Sequence, residues 1–141
     1  MAAELAIVTA VYARLVGFAD LTALLASATS VYSFVQQEAT SADSGFPYVS
    51  IGNTTSVPFD SDTNLGFNAT VTIHSFARGR TPKTIMEIMG EIYTALHRYD
   101  LAVSGYNLVD CLWDDTAEVL QEQDAMTFHG LQRFRINITG E

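Results

Sequence analysis

The sequence predicts an α+β fold: a largely antiparallel, mixed β-sheet of about four to five strands, with an amino-terminal helix and one long helix packed on one face. Three observations predict it. Apolar residues recur at helical spacing near the amino terminus and again after Pro82, whereas Phe67, Ala69, Val71, Ile73 and Ser75 alternate with polar residues at period two. The helical stretches stand apart from runs of strands instead of alternating with them, which disfavours a parallel α/β sheet. The chain has 141 residues, 48% of them hydrophobic, enough for one core, so residues 1–141 are expected to form a single domain.

The first helix is expected over Ala2–Val16, with Leu5, Val8, Tyr12 and Leu15 as its buried stripe, widened by Ile7 and Val11. Gly17 can end it. Asp20 reads as the N-cap of a half-helix over Leu21–Ala26. Val31–Val35 is rich in β-formers, Gln36–Gly45 is a polar loop, and Pro47 opens a strand over Tyr48–Ile51. Thr54–Gly66 reads as a second polar loop. The alternating strand follows and breaks at Arg78-Gly79-Arg80. Thr81-Pro82 starts the long helix, by capping and by the fixed φ of proline. Its stripe is Ile85, Ile88, Met89, Ile92 and Leu96, with Glu87, Glu91 and Arg98 off it and a stop near Asp100. After a turn at Gly105, one strand runs from Tyr106 to about Leu120 with a bend at Asp114-Asp115. Gln121–Ala125 connects it to a last strand over Met126–Thr139, where Phe128, Gln132, Phe134, Ile136 and Ile138 share a face.

Charged residues are only 16% of the chain, and they are lopsided: 16 acidic against 7 basic, a net charge of −9. High apolar content excludes disorder. The acidic balance disfavours direct binding of nucleic acid, which needs a basic face. So few charges beside so many apolar residues suggest that neighbouring subunits cover part of the surface. The apolar opening carries Glu4 and Arg14 and falls short of a span of ~20 residues, so it reads as a helix of a soluble protein rather than a signal peptide or membrane anchor. In that setting the Asn-x-Thr triplets at Asn53, Asn68 and Asn137 are strand and turn residues.

The sequence supplies no catalytic or metal-ligating constellation. His74, His97 and His129 lie in no zinc spacing. His74 and His129 alternate away from the apolar faces of their strands and are expected in solvent, and His97 suits the negative end of the helix dipole. Asp60-x-Asp62 and Asp114-Asp115 with Glu118 lack the glycine and closing glutamate of a calcium loop. Cys111 has no basic neighbour to lower its pKa and reads as a small buried hydrophobe. No nucleophile elbow, phosphate loop or dinucleotide fingerprint occurs. The expectation is therefore a protein that is not an enzyme and needs no metal or cofactor. One local charge pattern stands out. Arg78, Arg80 and Lys83 cluster where strand gives way to helix, against an acidic surplus at Asp60, Asp62, Asp114, Asp115, Glu118, Glu122 and Asp124. Arginine suits a bidentate contact to a neighbour's carboxylates. A subunit interface is thus expected to pair Arg78, Arg80 and Lys83 with Asp114 and Asp115.

Several segments occur in a familiar order: the half-helix Leu21-Thr22-Ala23-Leu24-Leu25, then Phe46-Pro47-Tyr48-Val49-Ser50-Ile51-Gly52, then Ala69–Phe76, the helix end Ile92-Tyr93-Thr94-Ala95-Leu96-His97, and the closing His129-Gly130-Leu131-Gln132-Arg133-Phe134-Arg135-Ile136. In that order they resemble the tail-completion, or tail-terminator, proteins of long-tailed bacteriophages, whose relatives occur in prophages and gene-transfer particles. The Phe-Pro-Tyr-Val and Gly-x-x-Arg-Phe-Arg segments are the most specific. Phe76 stands where many relatives are expected to carry tryptophan, and it keeps the aromatic role. The resemblance implies a structural virion protein without catalytic residues. It implies a homohexameric ring on the head-proximal end of the tail tube, which stops tube polymerisation and offers the head–tail joining surface. Its partners would be further copies of itself, the tail tube protein and a connector protein, with DNA passing through the lumen unbound and no membrane involved. The loops 36–45 and 54–66 would then face tube or connector. Two other readings remain open: another connector, adaptor or tube-type ring subunit, and a small cytosolic enzyme or binding module.

Overall fold

The computed structural model describes residues 3–26, 30–32, 46–60, 65–79, 82–121 and 126–140, the side chains of 115 and 116 apart. The expected loop at 36–45, the outer part of the first expected strand, Asp62, Arg80, Thr81, Glu122 and Asp124 lie outside the described residues. Helices α1 (Ala3–Val16) and α2 (Ala19–Thr22) open the chain, followed by strands β1 (Val31–Tyr32), β2 (Tyr48–Pro58) and β3 (Gly66–Arg78). Helix α3 (Lys83–Leu96) precedes β4 (Tyr106–Gln121) and β5 (Thr127–Gly140). The five strands form one sheet in the order β1-β2-β3-β5-β4. Only β1 pairs in parallel, with β2, so the sheet is mixed and the fold is α+β.

Both helices cover the same face. Helix α1 lies over β1, β2 and part of β3, and α3 lies over β3, β5 and β4. The inner face is the alternating set of β3 and β5: Ala69, Val71, Ile73, Ser75 and Ala77 opposite Phe128, Gly130, Gln132, Phe134, Ile136 and Ile138, all buried. From α3 the buried stripe is Ile85, Ile88, Met89, Ile92, Ala95 and Leu96, as the helical spacing predicts. Gly130 lets α3 approach β5: a Cβ there would meet Met89 Sδ at 2.6 Å. Gln132 crosses the same junction, its Nε2 donating to the Met89 carbonyl at 3.0 Å.

Four expectations need correction. In α1 the buried face is Ala3, Ala6, Ile7, Ala10, Val11 and Leu15, while Leu5 and Tyr12 are exposed and Val8 is half-buried. The small residues Ala3, Ala6 and Ala10 let the helix sit close to the sheet, which rotates the larger Leu5 and Tyr12 outward. Asp20 is not the N-cap: α2 starts at Ala19, ahead of the expected Leu21, and ends at Thr22 rather than Ala26, with Phe18 as its N-cap and no side-chain hydrogen bond there. Helix α3 stops at Leu96 rather than near Asp100, because His97 turns extended and Arg98 takes a left-handed φ of 62°. The Arg98 N–H then bonds the Cys111 carbonyl of β4. Finally, Thr54–Pro58 is strand, not loop. The register slips between Ile51 and Thr54, so one extra residue shifts the alternation and puts Thr54 and Ser56 on the inner side. Strand β4 slips twice, between Leu108 and Asp110 and between Trp113 and Ala117; the second slip is the expected bend at Asp114-Asp115.

Candidate functional site

The basic corner forms where β3 ends and α3 begins. Arg78 Nε donates to Thr127 Oγ1 at 3.1 Å, and its guanidinium lies 4.3 Å from the centroid of the Phe46 ring. Arg78 is therefore half-buried and held by β5 and by the start of β2. Lys83 is exposed at the first turn of α3. Arg80 lies outside the described residues. On the other side, Asp114 accepts from Arg135 Nη2 at 2.8 Å. Arg135 is exposed and Asp114 half-buried at the surface, so solvent screening holds the pair to ~0–1 kcal/mol. The side chain of Asp115 is outside the described residues. Arg78 and Lys83 thus share one corner. Asp114 sits on the edge strand β4 beside Arg135, far along β5 from Thr127, whereas Arg78 lies on the inner strand β3.

Two apolar stripes face solvent, one on each flank of the helix layer. On α1, Leu5 and Tyr12 are 56% and 38% exposed, with half-buried Val8 between them. On α3, Met86 and Tyr93 are 55% and 41% exposed, with Gly90 between them, and Tyr93 lies edge-on to Trp113 of β4. Nothing comes within 4 Å of a Cβ built at Gly90, so no neighbour in this chain requires a glycine there. Sequence reasoning missed both stripes. The α1 stripe was hidden because that helix is apolar on every side. The one on α3 needs Trp113, which arrives from a distant strand.

The histidines are not where the alternation alone puts them. His74 and His129 do point away from the core, yet they are half-buried because they meet: His74 Nδ1 lies 2.7 Å from His129 Nε2. His97 Nδ1 accepts the Trp113 backbone N–H at 3.0 Å, which ties the end of α3 to β4. Tyr32, Phe46, Tyr48 and Phe76 form an aromatic cluster on the outer face beside the histidine pair. Asp60 accepts from the Gly66 N–H at 3.1 Å and closes the β2–β3 hairpin, a structural task for one of the acidic candidates. A shallow cleft of about 270 Å³ is lined by Arg98, Tyr99, Asp100, Asp110 and Cys111. Burial, with the Asp110 carboxylate adding to it, pushes the Cys111 thiol up to about 12, so the one cysteine supplies no thiolate. Among the described residues no three His, Cys, Asp or Glu side chains gather as a metal site. No described helix is long and apolar enough to cross a membrane.

Comparison with known proteins gives the assignment. The family model described as "Tail completion protein gp17" matches residues 9–139. The tail completion protein gp17 of Bacillus phage SPP1 is 30% identical over 101 residues, covering 72% of this chain and 74% of the relative. The chain belongs to the tail completion protein gp17 family. Its fold also matches a chain from the virion of a native gene transfer agent particle, with a TM-score of 0.85, 24% identity and coverage of 99% of this chain and 98% of that one. A tail completion protein is a structural, non-enzymatic component of the phage virion tail.

Proposed function

We propose that this tail completion protein closes the head-proximal end of the tail tube as a ring of six identical copies, stops tube polymerisation and presents the surface to which the head connector joins. One observation carries the reading: two exposed apolar stripes lie on opposite flanks, Leu5-Val8-Tyr12 on α1 and Met86-Gly90-Tyr93 with Trp113 on α3 and β4. A head-to-tail ring needs two different surfaces on one subunit, and they must lie on different sides for the rotation to close. The family membership and the low charged fraction of 16% support the same reading.

The basic corner and the acidic edge fit as an orienting contact within such a ring. Arg78, Arg80 and Lys83 of one copy would approach Asp114 and Asp115 of the next, sharing Asp114 with the Arg135 it already holds. Exposed pairs of this kind add ~0–1 kcal/mol each, but they fix orientation and speed encounter. The acidic chain also suits a conduit, since phosphate is not held by a net-negative wall.

Mixing the purified protein with tail-tube subunits and imaging in negative stain tests the reading. The expected result is tubes of limited growth, each capped at one end by a ring. A chain of 15.4 kDa predicts a ring of about 92 kDa. Tubes that elongate unchecked in its presence would overturn termination, and incorporation along the tube would favour a tube-type subunit instead. Lys83→Glu tests the charged contact without disturbing the internal bonds of Arg78. Slower capping that Asp114→Lys restores would support the pairing, and unchanged capping at low salt would remove it.

A further inference from the structure

The outer face of the sheet brings two titratable side chains into direct contact. Phe76 stands opposite His129 in the β3–β5 ladder and His74 opposite Leu131, so the two histidines are diagonal neighbours. Their rings lie 5.0 Å apart between centroids, tilted by 30°, with His74 Nδ1 and His129 Nε2 separated by 2.7 Å. At that distance one nitrogen must carry the hydrogen and the other the lone pair. The pair can therefore hold its ordinary two N–H groups, or three with one added proton. With four, two N–H groups would point at each other.

The surroundings of the two rings differ. His129 stacks on Phe76 at 4.4 Å and 13°, and Phe76 stacks on Tyr48 at 4.9 Å and 21°. An aromatic face favours a cation laid against it. His74 instead fills the hollow over Gly52, where a side chain of any kind would collide with its ring. Burial first, and then the charge on His129, hold His74 below the ordinary imidazole value. Among the described residues, the charged and titratable groups on this face come from four strands. Strand β3 brings Arg78, and β5 brings exposed Arg133 two residues beyond Leu131. Strand β4 brings exposed Glu118 opposite Leu131, and β2 brings Tyr48 and Ser50. Both helices lie on the other face.

We propose that His74 and His129 form a proton-operated latch between β3 and β5, closed while they share one N–H···N bond and opened when both rings are protonated. The first added proton belongs to His129, whose Nε2–H then donates to the His74 lone pair in a charge-assisted bond. The second can enter only at His74 Nδ1, which breaks that bond and drives His74 off the Gly52 hollow. The row Tyr48–Phe76–His129 then loses the neighbour that ends it, so the outer face differs between neutral and mildly acidic solution. A histidine held low in the fold favours the folded state above its unfolded value near 6.5. As pH falls below that value, the unfolded chain takes up the proton first. This contribution to stability is then lost progressively down to the folded value.

Nuclear magnetic resonance on the histidine-15N-labelled protein tests the latch directly. A scalar coupling between His74 Nδ1 and His129 Nε2 is expected at pH 7.5, disappearing in acid while the backbone spectrum stays folded. Thermal melts at pH 7.5 and 5.5 accompany it: the wild type should lose more of its Tm on acidification than His74→Gln. No coupling at pH 7.5, or two rings that titrate independently, would overturn the proposal, as would an equal loss of Tm in the two proteins. Should His74→Gln fail to fold, the coupling in the wild type decides alone.

Discussion

A Cβ at Gly130 would sit 2.6 Å from Met89 Sδ and 3.1 Å from Ile85 Cγ1, so a single methyl separates α3 from its seat on β5. Met89 can shift but Ile85 is fully buried. Gly130→Val is accordingly expected to cost about 1–3 kcal/mol, read as a lower urea midpoint. Cys111 lies buried on β4 opposite Ile136 of β5. Its thiol is 1% exposed and stays protonated up to about pH 12. Iodoacetamide at pH 8 should therefore modify the native protein only as fast as β4 opens, and urea should accelerate the reaction steeply. Rapid labelling of the native protein would mean that Cys111 is neither buried nor neutral. The histidine pair shows the limit of reading residues singly. Period-two alternation correctly turns His74 and His129 away from the core, but each strand read alone cannot show that the two rings meet.

Helix α1 and helix α3 differ in how well a sequence reports them. In α3, bulky Ile85, Ile88, Ile92 and Leu96 fall on one stripe and Glu87 and Glu91 on another, so the phase is fixed by contrast. Ile88→Asp or Ile92→Asp should abolish folding, because a lone carboxylate in that core costs more than a domain with ~5–15 kcal/mol of stability can lose. Glu87→Ala should change stability by less than ~0.5 kcal/mol. In α1 the contrast is missing. Alanines form half of the buried face, larger residues lie outside, and the phase inferred from size alone is rotated. The paired substitutions Ile7→Asp and Leu5→Asp separate the two phases: the first should unfold the protein, and the second should leave the monomer's urea midpoint nearly unchanged. If Leu5 lines a ring contact, Leu5→Asp should also prevent capping of tubes. Gly90→Ala should raise stability by about 0.5–1 kcal/mol, since an exposed mid-helix glycine with open space around it gains only from a methyl. The strands follow the same logic. Between Phe67 and Arg78, β3 alternates without a break and was legible throughout. In β2 and β4 extra residues at the bulges reset the period, so Thr54–Pro58 looked like a loop.

At the scale of the whole molecule, the distribution of charge bears on which partners the surface can hold. The chain carries −9 at neutral pH, and several of its cations are already engaged. Arg14 lies 3.6 Å from the centroid of the Tyr99 ring and donates to the Ala95 carbonyl, Arg78 covers Phe46, and Arg135 holds Asp114. On the outer sheet face Arg133 is exposed, but Glu118 and Asp110 share that face. The edge strand β4 is guarded in the same way. Two bulges and the carboxylates of Asp110, Asp114 and Glu118 discourage another strand from pairing along it. Among the described residues the exposed cations form no stripe with which to follow a phosphate backbone. Non-specific DNA binders reach Kd values of ~10⁻⁴–10⁻⁶ M at physiological salt by releasing counterions from each phosphate they neutralise. This protein should bind labelled duplex DNA more weakly than that in fluorescence anisotropy, and Arg133→Glu should change nothing at ~0.15 M salt. Tight binding with a steep salt slope would show that a basic track exists on the folded surface, and a lumen wall that repels its cargo would then have to be abandoned. If the protein forms the ring proposed above, weak binding by the assembled ring as well as by the free chain is the expected outcome, because attractive phosphate contacts would retard DNA passing through it.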